Sequence, residues 1–216
     1  MLNSNLKGYA IALAWPQTLC KQAGAWYDSL MRLIGINKNG YYKVGHSAII
    51  LVEPNTGECF YFDFGRYHAP KGFGRIRNKD TDRDLTINTK AVFNNNSISN
   101  VSEILAELLP NKSTHGTGEV YGNVTEIDFN KAFGYAVNMQ QQGFWQYGPF
   151  IMNGTNCSRF VCSTIISGNP SVYEKLLLQF PLTISPTPMW NLMALSNNHL
   201  SVNSETELSE NTLVTS

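Results

Sequence analysis

The sequence predicts one mixed α and β domain, and three observations carry that expectation. Two apolar segments, HSAIILV (46–52) and ECFYFDFGRY (58–67), flank the turn sequence PNTG (54–57) and read as an antiparallel hairpin. Segments of helical spacing follow, among them NVSEILAELL (100–109), FNKAFGYAVNMQQQG (129–143) and a stretch that opens at Cys157. The 216 residues suffice for one substantial core and are short for two, and no repeat or linker divides them. The domain is therefore expected over residues 1–203, with a tail at 204–216, poor in aromatics and rich in Ser, Glu, Asn and Thr, expected to be mobile.

Taken in order, GYAIALAW (8–15) reads as a buried strand stopped by Pro16. Residues 20–35 space their apolar positions as a helix does, with Gly35 as the stop. HSAIILV is a continuous apolar run bounded by Gly45, and its length and branched residues favour a strand. In the second arm of the hairpin Phe60, Phe62 and Phe64 alternate with Cys59, Tyr61 and Asp63, with Tyr67 continuing the latter face. Residues 72–90 suggest further strand broken by a polar turn. Asn100 or Ser102 is a candidate cap for the helix at 100–109, which stops at Pro110. STHGTGEV (113–120) reads as a loop whose lone GxG is too weak to suggest phosphate binding, VYGNVTEID (120–128) as a strand, and Gly143 closes the next helix. A helix from Cys157 to Ile166 ends at SGNP (167–170), YEKLLLQF (173–180) is helical, and PLTISPTP (181–188) is irregular.

Composition narrows the function. The 16 Lys and Arg balance 16 Asp and Glu, so no basic surplus recommends a nucleic acid or an anionic membrane as partner. The N-terminus lacks the apolar core and cleavage pattern of a signal peptide, and no run is long enough to span a bilayer, so a cytoplasmic protein without stable membrane insertion is expected. The cysteines at 20, 59, 157 and 162 and the histidines at 46, 68, 115 and 199 show neither CxxC nor HExxH, so neither a metal nor another cofactor is expected.

The chemistry concentrates at two places. Cys157 follows Gly154, Thr155 and Asn156 where a loop hands over to a helix, and an N-terminus of a helix favours the thiolate. Asn153, Thr155 and Asn156 are the candidate caps. Of the four histidines, His46 opens a buried strand and is the best fixed; His68 follows the hairpin, His115 lies in a loop and His199 near the tail. If Glu53 pairs with Glu58 across the turn, His46 stands opposite Gly65, with Asp63 diagonal to it on the same face. A carboxylate there could orient the imidazole. Each of the three also has an ordinary structural reading: a packed thiol, a core histidine, and an aspartate paired with Arg66. Arg66, Arg75 and Arg77 follow Asp63; they either form a solvated strand face balanced by Asp80, Asp82 and Asp84 or grip a substrate carboxylate.

YGPFIMNGTNCSRFV (147–161) resembles the nucleophile motif of NlpC-type cysteine peptidases, and GHSAIILVEPNTGECFYFDFGR (45–66) is similar to their histidine motif and the strand after it. The histidine motif comes first here, as in the circularly permuted branch that includes lecithin–retinol acyltransferase-like and YiiX-like proteins. The chain further resembles a bacterial family marked by YFDFGRYH and GTNCSRFV. The resemblance implies a papain-like α+β core, an antiparallel sheet packed against the helix that carries the cysteine. It implies Cys157 as nucleophile, His46 as base and Asp63 as the third member, acting on a small peptide-like or amide-containing substrate. The implied activity is that of a cysteine peptidase or amidase; a thiol acyltransferase or lipase, or a binding module keeping the fold, are the alternatives. Where relatives carry an oxyanion-donating Tyr this chain has Trp145, so Trp145, Gln146 and Tyr147 are the candidate donors, with Asn156, Arg66 and Arg75 as further substrate contacts.

Overall fold

The computed structural model describes residues 7–21, 33, 37–42, 44–94, 97–181, 185–196 and 200–202. Its centre is a seven-stranded sheet, ordered β11-β7-β6-β5-β1-β10-β12, in which every pair is antiparallel. The strands are β1 (Lys7–Trp15), β5 (His46–Val52), β6 (Cys59–Gly65), β7 (Phe73–Arg77), β10 (Val120–Asp128), β11 (Trp145–Gln146) and β12 (Leu200–Val202). A small sheet of β2 (Cys20–Lys21), β3 (Asn37–Lys38) and β4 (Tyr41–Tyr42), and a ribbon of β8 (Phe93–Asn94) and β9 (Ser97–Ile98), complete the strands.

The two continuous apolar runs of the sequence, β1 and β5, lie side by side at the centre and are buried on both faces. Ala10, Ala12, Ala14, Ile49 and Leu51 join Phe62, Phe64 and Ile76 in one core. That core is covered by α2 (Phe129–Gln141), α3 (Cys157–Ser167) and α5 (Pro188–Met193), through Ala132, Ala136, Phe160, Val161, Ile165 and Leu192. Ile11, Leu13, Ala48, Ile50, Val52 and Tyr61 form a second core under α1 (Val101–Leu108) and the segment carrying Leu85 and Ile87. A sheet covered on both sides has no polar face to alternate with, and its central strands read as unbroken hydrophobic runs. The helix α4 (Val172–Gln179) follows α3 and is closed at its start by a capping box of Ser171 and Glu174.

The hairpin has the expected register. Glu53 N–H donates to Glu58 O at 3.0 Å, and the pairs run from Val52 with Cys59 to Ala48 with Asp63. Continued along the strand, this register places His46 opposite Gly65 and leaves Phe60, Phe62 and Phe64 on the helix-covered face.

Elsewhere the elements differ from expectation. Cys20 and Lys21, expected to open a helix, form β2 and pair with Tyr42 and Tyr41; of the remainder of that helix, 22–35, all but Leu33 lies outside the described residues. Of residues 72–90 only Phe73–Arg77 is strand. The acidic part folds instead into an Asn78-anchored turn and a single 3₁₀ turn at Arg83–Leu85, because Asn78 Oδ1 accepts from the backbone N–H groups of Asp80 and Thr81. Asn100 precedes α1 without capping it, its side chain being used by Val92 N–H and Lys90 O. The proline-bearing stretch ends in a helix, α5, capped by the Thr187 hydroxyl with Pro188 in its first turn. The expected tail at 204–216 lies outside the described residues.

Candidate active site

Cys157 is the first residue of α3, and of the three candidate caps it is Asn156 that serves, its side-chain oxygen accepting from Arg159 N–H at 2.9 Å. The same side chain donates to Ser185 Oγ at 2.9 Å, which fixes the entry of the loop into the helix. The start of α3 thereby meets the start of β5. Cys157 Sγ contacts the His46 ring and the backbone N–H of Ser47, and lies 4.0 Å from Ser158 Oγ.

Gly45 makes the approach to β5 possible. Its φ is +75°, and a Cβ there would stand 3.0 Å from Trp15 O and 3.1 Å from Pro16 Cα. The His46 ring that follows is buried and stacks on Trp15, its neighbour on β1, with centroids 5.7 Å apart. Its Nε2 faces Asp63 Oδ2 at 3.6 Å and Tyr67 Oη at 3.4 Å, which leaves Nδ1 for the thiol.

Asp63 is wholly buried, and its charge is answered on every side. Arg77, paired with it across β6 and β7, reaches it as a fork, Nε to Oδ1 at 3.0 Å and Nη2 to Oδ2 at 2.6 Å. The hydroxyls of Tyr61 and Tyr67 donate to Oδ2 at 3.2 and 3.1 Å. Burial pushes the Asp63 carboxyl up, yet His46 and Arg77 together hold it below the usual aspartate range. Burial alone would lower His46, but the neighbouring Asp63 and Cys157, both anionic acceptors of its charge, raise it to about 9. Cys157 is likewise pushed up by burial and brought below the ordinary thiol value by His46, the Ser47 N–H and Ser158. Both shifts favour the same state, an imidazolium beside a thiolate. The other three thiols go the opposite way: burial takes Cys20 and Cys162 up to about 12 and Cys59 to about 11.

The structure therefore brings Cys157, His46 and Asp63 together in the order the sequence suggests. It treats the accessory candidates differently. The Trp145 indole N–H is committed to Met139 O at 2.9 Å and is not available to an oxyanion. Gln146 is exposed, and Tyr147 stacks on Phe64 with Arg66 set over its ring at 5.3 Å. Arg75 is held by Asp82 at 3.0 Å and by the Tyr67 carbonyl, and Arg77 is 3% exposed and taken up by Asp63, so neither guanidinium is left to grip a substrate. His68 and His115 stand outside the thiol contact; His115 stacks on Tyr67, and His199 lies outside the described residues. Among the described residues no cluster of His, Cys, Asp and Glu could hold a metal, and no helix is long and apolar enough to cross a membrane.

Sequence reasoning missed Arg77 as the partner of Asp63, and Tyr67 and Ser47 N–H as members of the site. Tyr67 left a signal in its parity with Asp63 and in Gly65, where a Cβ would stand 2.4 Å from the Tyr67 ring. The space opposite His46 that a glycine opens is filled by that tyrosine.

No curated protein matches the chain. The crystal structure of the type VI secretion system effector TseH matches it with a TM-score of 0.57 and 19% identity, over 94% of this chain and 96% of that one. The likeness shows the fold, a papain-like α+β sheet packed against the cysteine helix. The family model described as type VI secretion system effector TseH-like matches residues 10–172, a span that includes His46, Asp63 and Cys157, and the chain belongs to that family.

Proposed function

We propose that the chain is a thiol hydrolase that cleaves an amide bond, with Cys157 as nucleophile, His46 as base and acid, and Asp63 as the group that orients His46. One observation carries this reading: a helix-N-terminal thiol in contact with a buried imidazole whose far nitrogen faces a buried carboxylate. In the proposed reaction the Cys157 thiolate adds to the amide carbon, and the imidazolium of His46 protonates the departing amine as the C–N bond breaks. His46 then takes a proton from water, which attacks the thioester and releases the acid and the thiol. The N–H of Cys157 lies in the first turn of α3, where no carbonyl of the helix reaches it, and serves as one oxyanion donor.

The order of the motifs, histidine first, supports placement in the permuted branch of NlpC-type enzymes. Family membership supports an effector role. Synthesis in the cytoplasm suits four free thiols, and an effector acts beyond the cell that makes it, which brings a wall-type or conjugated peptide within reach as the substrate.

The test is limiting iodoacetamide at neutral pH, with the labelled residue identified by mass spectrometry. Cys157 is expected to react first and Cys20, Cys59 and Cys162 to lag, and His46→Ala is expected to slow Cys157. Cys157→Ala is expected to abolish turnover. Labelling of Cys20 before Cys157, or full activity in Cys157→Ala, removes this reading.

A further inference from the structure

We propose that the Tyr67 hydroxyl bridges His46 to Asp63, which makes Tyr67 a positioning residue of this site. The proposal rests on the reading of Cys157 and His46 given above. The direct gap from His46 Nε2 to Asp63 Oδ2 is 3.6 Å, longer than the 3.4 Å from the same nitrogen to Tyr67 Oη. Tyr67 Oη stands beside both as the third corner of a triangle, 3.1 Å from that oxygen and 3.4 Å from that nitrogen. A phenol has one proton, and here it is donated to the carboxylate. Burial and the neighbouring Asp63 charge push the Tyr67 ionisation well above the usual tyrosine value, so the hydroxyl keeps that proton. Its lone pairs are then left for the Nε2–H of His46. The chain of contacts runs from imidazole to hydroxyl to carboxylate, and it holds the tautomer that presents Nδ1 to the thiol.

The phenol is itself fixed at both ends. The Arg77 guanidinium lies 3.4 Å from its ring centroid, His115 stacks on it at 4.9 Å, and Arg75 Nε binds its carbonyl at 2.9 Å. Tyr61 is a natural control. It donates to the same Asp63 oxygen at 3.2 Å, but its hydroxyl does not bond His46. The titratable groups that face His46 are Asp63 on β6, Tyr67 after it and Cys157 on α3, with Arg77 on β7 and His115 behind Tyr67.

The experiment is the pH profile of iodoacetamide alkylation of Cys157 in the full chain, read by mass spectrometry. Tyr67→Phe keeps the ring and removes both the acceptor for Nε2–H and a donor to Asp63; the first loss weakens the imidazolium and outweighs the second, whose size Tyr61→Phe measures by itself. The alkylation midpoint is expected to rise by about one pH unit, the size of a hydrogen bond to a charged group. Tyr61→Phe takes a donor from Asp63 alone, leaves the carboxylate more basic, and is expected to leave the midpoint level or lower it. Gly65→Ala, whose Cβ would collide with the Tyr67 ring at 2.4 Å, gives a second route to the same rise. An unchanged midpoint in Tyr67→Phe, or an equal rise in Tyr61→Phe, overturns the bridge. His46→Ala separates the two readings: if it leaves the midpoint unmoved, the nucleophile and base assignment fails; if it raises the midpoint while Tyr67→Phe does not, only the bridge fails.

Discussion

Replacing Asp63 by Asn tests how the site is held, because it leaves the shape of the side chain and removes its charge. The wild-type carboxylate accepts from Arg77 Nε at 3.0 Å, Arg77 Nη2 at 2.6 Å, Tyr61 and Tyr67. An amide offers one oxygen to those donors and turns two N–H groups toward the rest, so at least one arm of the Arg77 fork meets a donor. Asp63 is fully buried and Arg77 nearly so, and solvent cannot screen the guanidinium charge that remains. Breaking a buried pair in this way costs about 3–5 kcal/mol. With a urea slope of about 2 kcal/mol/M, the unfolding midpoint falls by roughly 1.5–2.5 M. The pH dependence follows from the direction of the shift. A carboxyl held below its ordinary value of 3.8 contributes stability that is complete above that pH and is lost as pH falls through the lower folded value. Wild type and Asp63→Asn are therefore expected to differ fully at pH 7 and to converge in strong acid. Urea titrations at several pH values measure this, and Asp63→Asn combined with Arg77→Met should recover part of the loss. A midpoint within about 0.5 M of wild type at pH 7 would refute the reasoning, since a buried guanidinium left with only Asp82 at 3.7 Å and the Ser113 carbonyl at 2.9 Å could not be so cheap.

Two further outcomes follow from the packing. Gly45→Ala forces a side chain into a left-handed conformation against Trp15 O and is expected to lower stability by about 1–2 kcal/mol and slow Cys157 alkylation, measured by thermal unfolding and labelling rate. Phe62→Ala empties a fully buried site between the sheet and the helices that cover it; a loss of about 3–5 kcal/mol is expected by chemical denaturation, and a loss below 1 kcal/mol would contradict that packing.

Some of this protein was written in local sequence. The turn PNTG and the parity of Phe60, Phe62 and Phe64 were enough to set the β5–β6 register, because a one-residue slip would turn three aromatics to the opposite face. The Gly-Thr-Asn run before Cys157 announced a capped helix, since a cap and its helix are a few residues apart and need no tertiary help. Other features depended on segments far apart in the chain. The Asp63–Arg77 fork required the β6–β7 register, and the seven-residue connection between those strands, although it holds a turn at Pro70–Gly72, is too long for its length to fix that register. The Trp145 indole looked available for an oxyanion until α2 brought Met139 O to it. Cys20 and Lys21 had helical spacing, yet pairing with Tyr41 and Tyr42 made them strand, tertiary contact overriding a weak local preference. The sequence itself determined which groups could carry charge and protons and which hairpin would hold two of them. The tertiary structure decided which of those groups touch, because a buried hydrogen bond depends on ångström distances between residues that sequence spacing leaves unset.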